Sequence, residues 1–253
     1  MRKFALVMMV GALMASGANM ARADEKDKAA VAVLDKAIAA IGGADKLAKV
    51  KSTSWSAKGT VNINGTDSTF TTESTAAGID QLKSTFTGNF DGNEVVFHSV
   101  LDGKKGWVRF NDMTMEIPED RVASMSRDIY LSQAALLILP LKGDKFKVES
   151  GGEETIDGVA HNVLRVVGPD GKDFKLLFDK ENGLLAKSVA TVQDFSGQDF
   201  TQESSYKDFK DFGGVRVATK VSRKRDGDRF LEEEVTVFKA SETVDPKTFA
   251  EPE

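Results

Sequence analysis

The sequence predicts a mainly β protein with a few helices (α+β), in which an antiparallel sheet is strongly curved or half-closed. Three observations lead there. From Ser52 onward apolar and polar residues alternate with a period of two through most of the chain. Turn pairs recur at short intervals, as Asn64-Gly65, Asp91-Gly92, Asp102-Gly103, Asp157-Gly158, Asp170-Gly171, Asn182-Gly183, Gly213-Gly214 and Asp226-Gly227. Helical periodicity is confined to the first fifty residues and to 118–141. Loops this short join antiparallel neighbours, because a parallel pair needs a long crossover.

Residues 1–23 read as a signal peptide. Arg2 and Lys3 start it, Phe4 to Ala15 is apolar but too short to span a bilayer, and Ala21-Arg22-Ala23 is a small-x-small cleavage signal. An exported chain starting at Asp24 is expected, with 24–253 as a single domain. The leader holds three of the 34 basic residues and none of the 39 acidic ones, so its removal makes a chain of net charge −5 more acidic still. Such a balance excludes a nucleic-acid binder or a polybasic membrane-surface protein. Cys 0 excludes disulfides, thiolate metal sites and a lipid anchor on an acylated cysteine.

From Lys28, the spacing of Val31, Leu34, Ile38 and Ile41 predicts a helix with one apolar face, ended by Gly42-Gly43. Ala44 to Val50 adds a short second turn. Trp55, Ala57, Gly59, Val61 and Ile63 then alternate with polar residues, as a strand with one wet face does. Val95–Leu101 and Val159–Val167 are apolar on both sides and need cover on both. Arg223-Lys224-Arg225 and Glu232-Glu233-Glu234 read as charges set across neighbouring strands that keep exposed sheet soluble, in preference to an anion or partner site. Glu242 to Glu253 is a tail, with Phe249 tucked in.

The stretch 118–141 breaks the run of hairpins. Pro118 suits a first helical position, Glu119 and Asp120 sit at the positive end of the dipole, and Val122, Met125 and Ile129 form an apolar stripe. Ser126 or Asp128 caps a second helix through Leu131, Ala134, Ala135, Leu136 and Leu137 to Leu139, stopped by Pro140 and Gly143. This second piece is apolar nearly all round, so it is either the lid of an apolar cavity or a plug on one face of the sheet.

No motif carries catalysis or a cofactor. The two histidines, His98 and His161, stand alone in strand-like runs without further ligands at metal spacing. There is no Gly-x-Ser-x-Gly elbow, and the glycines lie in turns, not in a phosphate-cradling loop. Trp107, on the strand that leads into 118–141, is either a core tryptophan or a ligand contact.

The order of elements resembles a known family. Ile41-Gly42-Gly43 with Leu47, the Gly106-Trp107 strand, the helical interruption through Leu136-Leu137 and Phe178-Asp179-Lys180-Glu181-Asn182-Gly183-Leu184-Leu185 carry the likeness. So do Tyr206-Lys207-Asp208-Phe209 and the run from Gly213 to Val221. Together they are similar to the LolA-like periplasmic lipoprotein carriers and their outer-membrane lipoprotein-sorting relatives. The resemblance implies an incompletely closed antiparallel β-barrel with an N-terminal helix and a helical lid. It further implies a periplasmic carrier, not an enzyme, that encloses a lipid or a lipoprotein acyl chain and works as a monomer with an outer-membrane acceptor protein. Burying a sixteen-carbon chain at about 0.8 kcal/mol per CH₂ offers roughly a dozen kcal/mol before ordering costs, enough only inside a covered cavity. The expected lining is Trp107, Phe110, Val122, Met125, Ile129, Leu136 and Leu137, without metal or cofactor. The competing expectation is an exported structural or interaction domain with no lipid ligand.

Overall fold

The structure, a computed structural model, describes residues 28–194 and 196–252, with Pro246 described by its backbone alone. The expected leader lies outside the described residues. Helix α1 covers 28–41 and α2 covers Ala44–Leu47. Six strands follow as consecutive hairpins: β1 (Ser52–Ile63), β2 (Thr66–Ala77), β3 (Gln81–Phe90), β4 (Asn93–Asp102), β5 (Lys105–Phe110) and β6 (Met113–Glu116). Helix α3 (Glu119–Leu137) and a 3-10 turn (Leu139–Lys142) lead into β7 (Lys147–Ile156), β8 (Val159–Val167), β9 (Asp173–Asp179) and β10 (Leu185–Gln193). Strands β11 (Asp199–Phe212), β12 (Val215–Arg225) and β13 (Asp228–Ser241) complete the sheet, followed by a 3-10 turn at Pro246–Phe249.

All 13 strands form one antiparallel sheet in the order β6-β5-β4-β3-β2-β1-β13-β12-β11-β10-β9-β8-β7. The sheet is not closed: β6 and β7 are its two free edges, and α3 is the link between them. The turn chemistry explains the meander. Asn64, Asp91, Asp157 and Asp226 all hold φ between 49° and 52°, and the glycine after each lies between 80° and 91°. Two consecutive left-handed residues make the hairpin turn whose twist matches that of the strands.

The helices cover one face, here called inner. Leu34, Ile38 and Ile41 of α1 and Tyr130 and Ala134 of α3 pack on Leu164, Val166, Phe174, Leu176, Phe178 and Val192 in the main core. Val31, expected on the apolar face of α1, points outward at 48% exposure, and Ala30 and Ala37 take its place in the stripe. Further along α3, Val122, Ile129 and Met125 rest on Leu82, Leu101 and Ile117. The outer face carries a smaller cluster in which Ala77, Val100 and Trp107 are capped by Phe249, 1% exposed.

The expected pair of helices in 118–141 is one continuous helix. Ser126 and Asp128 do not cap a second helix; they lie inside α3. Its end comes earlier than Leu139, at Ile138, a buried residue with φ 55° and ψ −41°. Positive φ is a rare state for a β-branched side chain. Pro140, which cannot continue a helix, starts the 3-10 turn just beyond.

Candidate functional site

Because residues directly opposite in an antiparallel pair share a face, the register shows what the inner face carries beyond the helices. Phe86 stands opposite Phe97, Phe97 opposite Phe110, and Phe110 opposite Met113. Phe86 and Phe97 each lie four residues from Leu82 and Leu101, which α3 covers, so the aromatic row continues the same face past the helix. Phe70 stacks on Phe86 at 5.3 Å, Phe86 on Phe90 at 6.4 Å and Phe97 on Phe110 at 5.1 Å. Gly88 permits this: a Cβ there would meet Phe90 at 2.5 Å and Phe86 at 2.8 Å, so the rings lie over its bare backbone. Toward the free edge exposure rises, with Phe97 of β4 at 36% and Met113 and Met115 of β6 at 62% and 50%. The result is a contiguous aromatic and methionine wall spanning β2 to β6, with adaptable side chains at its rim.

On the other half of the inner face, β11 to β13 present charge. Arg223 donates to Glu233 across β12 and β13 at 3.0 Å, and the hydroxyls of Tyr206 and Ser188 lie 3.0 Å apart. The charge runs expected to keep exposed sheet soluble are therefore split: Lys224, Glu232 and Glu234 are exposed, whereas Arg223 and Glu233 face inward. Their neighbour Asp128 projects from α3. Solvent reaches it, but the surrounding protein strips away enough to push its carboxyl up to about 6, against the pull of Arg225, Arg223 and Arg127.

Helix α3 is held unevenly between these halves. On the β10 side Arg121 donates to the Asp194 carbonyl at 3.0 Å, Ser124 to Gln193 at 2.8 Å and Arg127 to the Thr191 carbonyl at 2.7 Å. Arg127, 4% exposed, also donates to Asp170 at 2.9 Å, to the Asp173 carbonyl at 3.0 Å and to the Tyr130 hydroxyl, which itself donates to Asp170 at 2.7 Å. On the β3–β5 side Val122, Met125 and Ile129 make an apolar seam with Leu82, Leu101 and Ile117.

The hollow between α3 and the strands is lined by Trp55, Ala135, Leu136, Tyr206, Val235 and Phe238 among others, and holds about 110 Å³. Pockets for drug-sized ligands run to about 300–1,000 Å³, so a long acyl chain does not fit beneath the helix as it stands. A hollow of about 800 Å³ on the sheet is lined mostly by polar residues, among them Lys58, Thr60, Lys207, Lys220, Glu232 and Glu234, and reaches Phe70 of the aromatic wall and Val221.

The expected lining residues divide accordingly. Val122, Met125 and Ile129 come together in the seam, Phe110 joins the aromatic wall, and Leu136 lines the small hollow. Leu137 faces a separate hollow beside α2, with Leu47 and Leu139. Trp107 lies on the opposite face from Phe110, in the outer cluster under Phe249. His98 bonds Thr85 at 3.0 Å and His161 the Val159 carbonyl at 2.9 Å, and no group of metal-binding side chains occurs among the described residues. Phe70, Phe86, Phe90 and Phe97 were not among the expected lining, although the spacing Phe86-x-Gly88-x-Phe90 already puts two rings on one face of a strand.

A half-open antiparallel sheet with helices across one face and an apolar wall left partly bare defines a LolA-like fold. The comparisons with solved structures agree. The chain is similar to a LolA superfamily protein from Nitrosomonas europaea, with TM-score 0.58, 14% identity and 87% of this chain aligned to 97% of that one. It is similar to a DUF1329 family protein from Desulfovibrio piger, with TM-score 0.53, 15% identity, and 87% and 97% coverage. It also matches a putative outer membrane lipoprotein-sorting protein domain from Vibrio parahaemolyticus, with TM-score 0.50, 14% identity, and 81% and 93% coverage. No protein-family model and no curated protein matches the sequence.

Proposed function

We propose that this is an exported, periplasmic carrier that receives the acyl chain of a lipid or lipoprotein on the aromatic wall of β2 to β6. It acts without cofactor or covalent chemistry, as a monomer formed by residues 24–253 after cleavage near Ala23, and hands its cargo to an outer-membrane acceptor. The observation that carries the reading is the row Phe86, Phe90, Phe97 and Phe110, backed by the buried Phe70 and left partly exposed on the face that the helices otherwise cover. An apolar surface of this kind costs solubility unless something is meant to cover it. Phe110, Val122, Met125, Ile129 and Leu136 are the side chains along which a chain would extend as α3 separates from β3–β5. The small volume beneath α3 favours one other reading, an exported interaction domain in which the helix is a permanent seal.

Organic extraction of the purified protein followed by mass spectrometry, with displacement of a fluorescent fatty acid as the solution assay, separates the two. The carrier reading expects co-purified lipid and saturable probe binding. Phe97→Ser combined with Phe110→Ser should weaken binding by at least tenfold with the circular dichroism spectrum unchanged, since a buried phenylalanine contributes about 1.5–3 kcal/mol. A clean protein that ignores the probe overturns the carrier reading in favour of the sealed domain.

A further inference from the structure

We propose that Arg225 is the seat for the anionic head group, phosphate or carboxylate, of the amphiphile whose chain lies on the aromatic wall. This rests on the carrier reading and specifies the chemistry of its ligand.

The register places Arg225 opposite Gln202 and Gln202 opposite Ala190, which stands opposite Phe174 of the main core, so its side chain belongs to the inner face. Its guanidinium lies 3.7 Å from the Phe230 ring centroid and 5.5 Å from that of Phe200. Two aromatic faces thus hold the plane of the fork while leaving its N–H edges free. One marginal hydrogen bond, 3.5 Å to the Gln202 side-chain oxygen, is its only polar bond to the described residues, and none of their carboxylates forms an ion pair with it.

The other arginines on this part of the sheet are provided for. Arg223 has Glu233 at 3.0 Å, and Arg229 grips both Asp67 oxygens at 2.7 and 2.6 Å. The electrostatics separate the same residues. Burial lowers the pKa of both Arg223 and Arg225, but at Arg223 the Glu233 carboxylate more than restores it, whereas at Arg225 the more remote Asp128 and Asp194 do not. Arg225 has therefore lost solvation without gaining a counter-ion, and its planar fork matches two oxygens of a phosphate or carboxylate. The groups around that space are Arg223 on the same strand, Glu233 on β13, Tyr206 on β11, Asp194 beyond β10, and Arg127 and Asp128 on α3. Of these, Asp128 would oppose an incoming anion by like charge while Arg223 would attract it. An amphiphile with its head at Arg225 and its tail on the phenylalanine row would use both halves of the inner face.

Titration calorimetry of the full mature chain at pH 7.5 tests this with two probes of equal chain length, dodecyl phosphate and the neutral monolauroylglycerol. Wild type should bind dodecyl phosphate at least tenfold more tightly. Arg225→Gln should bring the two within about twofold by lowering only the phosphate affinity, Arg225→Lys should keep most of the preference, and Asp128→Asn should widen it. Equal wild-type affinities, or a preference indifferent to Arg225→Gln, would overturn the head-group seat and leave the carrier reading standing. Failure to bind either probe would overturn both. Displacement of dodecyl phosphate by inorganic phosphate at equal concentration would make this a site for a free anion and overturn the lipid assignment.

Discussion

Arg127 is the residue on which the placement of α3 turns. Its guanidinium reaches Thr191, Asp170, Asp173 and Tyr130 at once, in a position with almost no solvent. Burial pushes the Asp170 carboxyl up, but the bonds from Tyr130, the Lys172 backbone N–H and Arg127 outweigh it and hold the group below the usual carboxylate range. Removing only the cation leaves that carboxylate without its counter-charge and two backbone carbonyls without their donor, so Arg127→Met should cost about 3–5 kcal/mol in urea unfolding. Its neighbour Asp128 behaves in the opposite sense. Its pKa in the folded protein, about 6, lies above the ordinary aspartate value of 3.8, so the stability it contributes is fully present below 3.8 and is lost as pH rises through about 6. Asp128→Asn should therefore stabilise the protein above pH 7 by about 1 kcal/mol, reduced from the full linkage value because solvent screens the group, and should flatten this part of the stability profile between pH 4 and 7. Neither role was legible in the sequence. Asp128 reads in the sequence as a helix cap and Arg127 carries no signal of its own, and only the strands that approach from residues 170–194 and 223–225 give them partners.

At the scale of the element, the first half of α3 is polar-bonded to β10 and the residue after it, and the helix leans on β3–β5 through an apolar seam. Its two sides should fail separately. Ile129→Ala, which removes buried contact from the seam, should cost about 2–4 kcal/mol and raise amide exchange in β3 to β5 well before β10 loses protection, a difference that hydrogen-exchange mass spectrometry resolves. Uniform loss of protection would show that the helix and both halves open together. The strands were readable because a period of two and a left-handed turn pair are local signals, and the span expected for Val159–Val167 is β8 itself. The continuity of α3 was not readable. Ser126 and Asp128 are good cap residues in isolation, but Ile129, Tyr130 and Ala134 bury their side chains on one side of an unbroken helix and override that preference.

Across the whole molecule, simple succession along the chain dictates eleven of the twelve strand pairings of the described sheet, while the junction in the middle has no local cause. There β1 pairs with β13 from Ser52 opposite Ser241 to Val61 opposite Leu231, and Thr236 bonds the Ser56 carbonyl across 180 residues of sequence. Nothing in either strand names its mate, which is why the sequence showed a curved meander but not its order. Contacts this distant are slow to form, so refolding from urea should run on a timescale of about milliseconds to seconds or longer, and deletion from Asp228 onward should abolish cooperative unfolding altogether. A chain delivered N-terminus first leaves one side of β1 unmated through the arrival of nearly everything else. Until the last segment docks, that bare strand invites foreign pairing, and a nascent copy of this protein would be a natural client for a chaperone that shields extended backbone.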